Sequence, residues 1–203
     1  IVLAKEISER IEDESMSWKV YGGVHPKPAG NRACADMIHS LLETAWQDGT
    51  SEIRAHPVPD DLLDRTSYVG GRMLPQNQAN LIQGWQIKVP QWKELTGGKR
   101  EQFLGLPLLC AEEAGATLEI RFQGSALGAY LLAGPDAGVL EVAIDQGVAQ
   151  QFELQHRHSR NLHYPRTVMF AADLAAGEHV ANVRLMGAEH GKSAARIIRF
   201  VAN

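Results

Sequence analysis

The hydrophobic period of this chain changes from helical to two-residue part-way along, and that switch constrains the fold more than any other feature. Leu3, Ile7 and Ile11 recur at four-residue steps between Lys5, Glu6, Glu9 and Arg10, which places one apolar stripe on a short first helix. Cys34, Met37, Ile38, Leu41, Leu42 and Ala45 follow the spacing of a second amphipathic helix that runs to Trp46, with Asn31 as its expected N-cap. Further on, Leu118, Ile120 and Phe122 alternate with Glu119, Arg121 and Gln123, and Leu140, Val142 and Ile144 with Glu141, Ala143 and Asp145, the pattern of half-buried strands. Strand-like runs also occupy 85–89, 102–110, 129–133, 151–154, 167–171, 179–186 and 196–201, separated by turns such as Gly134-Pro135-Asp136-Ala137-Gly138. Nine short strands with no long helix among them predict a mainly β protein, an antiparallel jelly-roll β-sandwich preceded by a helical segment.

Between the two regimes, residues 47–65 hold Gly49, Pro57, Pro59 and five acidic residues without any period. They are expected to connect a first part, 1–46, to a sandwich domain over 66–203. The chain begins without Met inside an apolar-periodic run, so residue 1 reads as the interior of a longer polypeptide. Twenty Lys and Arg stand against 24 Asp and Glu, and no basic block occurs, which argues against a nucleic-acid partner. No apolar run approaches the roughly 20 residues that cross a bilayer as a helix. Cys34 and Cys110 lack the spacing of a metal site or a redox pair and are expected to be buried free thiols.

The stretch Tyr21-Gly22-Gly23-Val24-His25-Pro26-Lys27-Pro28-Ala29-Gly30 is too rich in glycine and proline for a helix or a central strand and is expected to form a shaped loop. It pins the backbone of His25 on both sides just ahead of a helix, a position from which an imidazole can serve as general base. On pattern alone, a solvated loop histidine is the competing reading. The run from Trp18 to Asn31, with the helix that follows it to Leu41-Leu42, resembles the last sequence block of the SGNH (GDSL-type) hydrolases, in which V-H-P-x-x-x-G opens the final helix. The resemblance covers residues 1–46 and makes them the C-terminal helical segment of an α/β/α catalytic domain. It implies an upstream serine nucleophile, upstream oxyanion-hole glycine and asparagine, His25 as the base, and no cofactor. The remainder of that catalytic domain would be the segment's partner. One departure stands out: the family commonly has an aspartate three residues before the histidine, and this chain has Gly22. A Ser-His dyad, a backbone carbonyl or an acid from elsewhere, or lost activity are the alternatives this leaves.

Tyr68-Val69-Gly70-Gly71-Arg72, Gly84-Trp85, the run from Gly115 to Gly124 and Leu174-Ala175-Ala176-Gly177-Glu178-His179 resemble jelly-roll accessory domains found beside SGNH domains in bacterial carbohydrate esterases. That resemblance implies an acylated glycan or small-molecule substrate, with acetyl as the favoured acyl group, and a secreted or periplasmic setting. His156, His158 and His163 gather near Arg157 and Arg160. An H-x-H pair on a strand could reach a metal, but no Cys, Asp or Glu completes a ligand set in that loop, so no metal is expected. His156 and His158 are instead candidates for substrate contact. Trp85, with Trp92 and Tyr68, is a candidate platform for a sugar ring, against the competing role of core packing. The rival function is a noncatalytic carbohydrate-binding or structural β-sandwich capped by the N-terminal helices.

Overall fold

Residues 3–47, 57, 67–187 and 193–203 are described by the computed structural model, whose contacts divide the chain into two units, Ile1–Asp60 and Asp61–Asn203. In the first unit the four-residue stripe forms α1 (Leu3–Glu12), and Leu3, Ile7 and Ile11 pack with Ala33 and Met37 of a second helix. A four-residue helical turn, α2 (Trp18–Tyr21), follows, which the sequence pattern did not show. Ser17 caps it, and Gly22 ends it in the left-handed region at φ 107°. The long helix α3 (Pro28–Gln47) starts three residues before the expected Asn31 cap, because Pro28 fits the first helical position, where its fixed φ suits the turn and its missing N–H costs nothing. Asn31 instead donates its backbone N–H to the Lys27 carbonyl at 2.9 Å. Among the described residues, the apolar stripe of α3 is covered only at its N-terminal end. Ala33 and Met37 are buried, while Ile38, Leu41 and Trp46 are 45%, 42% and 71% exposed.

The second unit is an antiparallel jelly-roll sandwich with eleven strands among its described residues. They are β1 (Arg72–Leu74), β2 (Ala79–Gln83), β3 (Trp85–Lys88), β4 (Leu108–Ala111), β5 (Thr117–Gly124), β6 (Leu127–Ala133), β7 (Val139–Ile144), β8 (Gln150–Glu153), β9 (Tyr164–Ala171), β10 (Gly177–Met186) and β11 (Ala195–Ala202). One sheet runs β3-β4-β11-β6-β9, with β1 on the free half of the β11 edge; the other runs β2-β5-β10-β7-β8. From β4 to β7 and again from β8 to β11, successive strands change sheet, so the two inner faces close on one core. Leu118, Ile120 and Phe122 of β5 face Leu127, Leu131, Ile197 and Phe200 in that core, as the alternation requires.

Three expectations are corrected. Residues 102–110 do not form one strand: Glu101–Phe103 is a 3₁₀ turn, and only Leu108–Ala111 pairs in the sheet. Phe103 folds back with Trp92 over the outer side of this sheet, against Leu108, Cys110, Leu132 and Ile198. This second cluster leaves β4 buried on both faces, which is why its sequence shows no alternation. Strands β1 and β2 went unseen because each is short and shows no sustained alternation. Cys34 and Cys110 are both free thiols, but Cys34 is only half-buried. Burial pushes the Cys110 thiol up to about 11. The connecting segment expected at 47–65 lies outside the described residues except for Gln47 and Pro57.

Candidate functional site

The His25 loop is drawn shut at its base by the Lys27 N–H, which donates to the Tyr21 carbonyl at 2.7 Å. Gly22 donates to Trp18 O at 2.9 Å, and the Lys27 ammonium reaches Lys19 O at 3.1 Å. The five residues between carry Val24 and His25 outward, both exposed. Gly30 explains the glycine of the V-H-P-x-x-x-G block: a Cβ there would lie 2.5 Å from the Tyr21 carbonyl oxygen, so α3 can start this close to the loop only without a side chain. The geometry therefore holds the histidine's backbone firmly while leaving its ring open to solvent.

Position 22, where the resembling family has its acid, cannot hold one in this loop. Its φ of 107° disfavours any side chain, and a Cβ would meet Lys27 N at 2.6 Å and His25 O at 2.8 Å, both backbone atoms. Among the described residues, no hydrogen bond or ion pair joins His25 to a carboxylate; the nearby Asp13 is bound to the Ser15 N–H at 2.9 Å instead. Gly22→Asp is expected to destabilise the first unit by about 1–3 kcal/mol through backbone strain. A lowered denaturant midpoint of its helical signal checks this, and an unchanged midpoint would contradict the geometry.

His156 and His158 lie not on a strand but around a turn between β8 and β9, closed by Ser159, which accepts from His156 N at 3.1 Å and donates its own N–H to His156 O at 2.8 Å. Arg166 pins the base of the turn by donating to the Leu154 and Gln155 carbonyls at 3.2 and 3.0 Å. His156 stacks on Tyr164 with ring centroids 4.9 Å apart at 12°, and His158 leans on the same two rings at 5.1 and 5.2 Å. Nδ1 of His156 accepts from the His158 N–H, and Nε2 of His158 accepts from Arg157 Nε. Both lone pairs are thus engaged by donors, and among the described residues no group of three or more His, Cys, Asp or Glu is placed to hold a metal. Partial desolvation, then the neighbouring Arg166 charge, keeps the His156 proton affinity below its ordinary value. Tyr164 is the member of this cluster that the sequence reading missed; the only sign was an aromatic residue directly following the histidine loop.

The other candidates separate. His163 is buried, donates Nε2–H to Thr96 O at 3.0 Å and meets the edge of Trp92 at 5.2 Å; burial, then the Arg196 charge, hold its proton affinity below the ordinary value. Trp85 is 4% exposed in the sandwich core, so it has no ring face to offer a sugar, and its expected binding role is corrected to packing. Trp92 is half-buried and donates its indole N–H to Leu104 O at 3.1 Å. Tyr68 is exposed and lines a cleft of about 430 Å³ with Met73, Met169 and Val201 on the outer side of the larger sheet.

No protein-family model and no curated protein matches the chain. Among solved structures, it is similar to a two-domain esterase (CEX) active on acetylated mannans, co-crystallised with mannopentaose, at a TM-score of 0.65 and 15% identity over 97% of this chain and 52% of that one. A second crystal structure of a two-domain esterase (CEX) active on acetylated mannans gives 0.64 and 14% over 97% and 53%. A family two carbohydrate esterase from Cellvibrio japonicus is a distant match, with a TM-score of 0.44 and 13% identity over 65% of this chain and 32% of that one. The chain spans about half the length of the esterases it matches first. At these identities the likeness establishes a shared fold.

Proposed function

We propose that this chain is the C-terminal part of an SGNH-type serine ester hydrolase that removes acyl groups, acetyl foremost, from carbohydrate. The observation that carries the reading is the likeness to the two-domain esterases across 97% of the chain, which takes in the segment bearing His25 as well as the sandwich. The uncovered apolar residues of α3 support it too, because an apolar stripe that runs on beyond its cover needs a further layer, such as the sheet of an α/β/α domain. In the proposed reaction a serine upstream of these residues attacks the acyl carbonyl while His25 takes its proton. The imidazolium then protonates the departing sugar alkoxide, and the second half-reaction repeats the transfer with water. With position 22 closed to an acid, the imidazole is oriented by a backbone carbonyl or by a group outside the loop. Hydrolysis of a simple acetyl ester by the intact polypeptide, measured with His25 and with alanine in its place, tests the reading. An unchanged rate refutes it.

The stacked His156, His158 and Tyr164 rings, of which His158 is exposed and the other two half-buried, favour a role in glycan contact, since a sugar ring packs on aromatic faces supported by a rigid turn. Replacing both histidines with alanine is expected to weaken binding of a soluble manno-oligosaccharide about tenfold, equivalent to 1.4 kcal/mol. Titration calorimetry on the double variant measures it. If binding persists in full while the His25 variant also hydrolyses normally, the chain is the noncatalytic sandwich of the rival reading, binding its partner elsewhere.

A further inference from the structure

His179, near the start of β10, has oxygen atoms against both ring nitrogens. Nδ1 lies 2.8 Å from Asp145 Oδ2, and Nε2 lies 2.8 Å from the Ala175 carbonyl oxygen. A carbonyl oxygen can only accept, so Nε2 carries a proton. The other partner is a carboxylate that stays ionised: hydrogen bonds from His179 and then from the Val180 N–H, which reaches Oδ1 at 2.9 Å, hold Asp145 below its ordinary value. An ionised carboxylate also only accepts, so Nδ1 carries a proton as well. We infer that His179 is a resident imidazolium that latches the β9–β10 connection and the β7–β8 turn to the end of the smaller sheet, and that the latch releases as pH rises.

Three segments meet at this ring. Asp145 is a non-glycine residue in the left-handed region, φ 54°, at the head of the turn that Gly147 closes by donating to Ile144 O at 2.9 Å. Its backbone N–H donates to Val180 O at 2.7 Å, so Asp145 grips β10 through both backbone and side chain. Ala175 belongs to the connection from β9, which is otherwise tied down by the Leu174 N–H on Ser125 O at 2.9 Å. Below the imidazolium lies the Phe122 ring of β5, 5.3 Å away and tilted by 31°, close enough for a favourable cation–π contact.

The charged groups around the ring favour the cation. Asp145 comes from the β7–β8 turn and Asp173 from the β9–β10 connection. Glu178 precedes the ring on β10, exposed on the other side of the strand. On β5, Arg121 is drawn to Glu119 at 3.3 Å, and the Gly124 carbonyl adds to the attraction for the proton. The Asp145 hydrogen bond, then the Ala175 carbonyl, raise His179 above its ordinary 6.5 against partial desolvation. A raised folded-state value means that the latch is fully made below 6.5 and is lost as pH climbs through the higher value. Neutral imidazole has one N–H for two acceptors, so one contact turns into lone pair against lone pair. Ala175 is the one that lets go, since a neutral ring keeps its remaining proton toward the carboxylate. Ala176 and Gly177 form one wall of a cleft of about 540 Å³ shared with Arg72 and Gln123, so the latch governs the shape of that wall.

The test is a titration of the histidine ring nitrogens by two-dimensional ¹H–¹⁵N spectroscopy on the 203-residue chain, with amide protection at Leu174 followed in parallel. Both His179 nitrogens are expected to be protonated below a midpoint that lies above 6.5, and Leu174 protection is expected to fall across the same midpoint. Asp145→Asn should move the midpoint down by about one unit. A midpoint at or below 6.5 overturns the inference. So does Leu174 protection that ignores the titration. The wild-type measurement decides even if the Asn variant does not fold.

Discussion

Alanine in place of His25 should lower the intact protein's kcat for an acetyl ester by about 10⁴-fold, with KM nearly unchanged. The size follows from the proposed role. A base that both activates the nucleophile and protonates the leaving group is used in each half-reaction, and among the described residues no second imidazole adjoins the loop. The ring is exposed and, among the described residues, makes no hydrogen bond, so its removal should shift stability by no more than about 0.5 kcal/mol. Loss of rate with an unchanged melting profile thus separates a chemical role from a folding defect. Gly22→Asp makes the contrast: that substitution strains the loop that carries His25 and is expected to lower activity rather than complete a triad.

Removing the carboxylate of Asp136 should destabilise the sandwich by about 3 kcal/mol, and lower its Tm by roughly 10 °C. Asp136 sits in the β6–β7 turn and binds Arg196 of β11 in a two-point pair, Nη1 to Oδ1 at 2.9 Å and Nη2 to Oδ2 at 2.7 Å. Arg196 is 1% exposed, so the Asp136→Ala variant leaves a guanidinium in the interior with nothing to balance it. The Asp136 side chain keeps 34% of its exposure, which admits some solvent and sets the expectation at the low end for a buried pair. Changing both residues, Asp136→Ala with Arg196→Met, should recover most of the loss, because the buried charge goes with its partner. A double variant as unstable as the single one would show that the turn, not the charge, was at stake. Burial alone would raise the Asp136 carboxyl, but the Arg196 hydrogen bonds and charge outweigh it and hold the group below its ordinary 3.8. Its contribution is therefore complete above 3.8 and fades as pH falls through the lower folded value. Acid unfolding should begin at higher pH in the Asp136→Ala variant than in the wild type.

Where a segment has one wet and one dry face, its sequence announces the structure. Leu3, Ile7 and Ile11 announce α1, and the alternation through Leu118, Ile120 and Phe122 announces β5, because burial on one side writes a period into the chain. The period disappears where both faces are covered. The run Leu127-Gly128-Ala129-Tyr130-Leu131-Leu132-Ala133 is buried on both sides, and its first two residues escaped notice. Trp85 shows the same blindness for function: a tryptophan at a strand start suits a sugar platform and a core equally well, and only the position of β3 against β4 decided for the core.

The loop conformation around His25 was legible by itself, since Pro26 and Pro28 fix φ and Gly22 and Gly23 admit the left-handed backbone through their own covalent structure, whatever surrounds them. So were the sandwich class and the change of architecture along the chain. Only the tertiary structure revealed that position 22 is closed to an acid, that Tyr164 joins His156 and His158, and that Asp136 and Asp145 meet Arg196 and His179 from 60 and 34 residues away. Those facts depend on which chain segments come to lie side by side, and a periodicity records only whether a residue faces water, never which residue it faces instead.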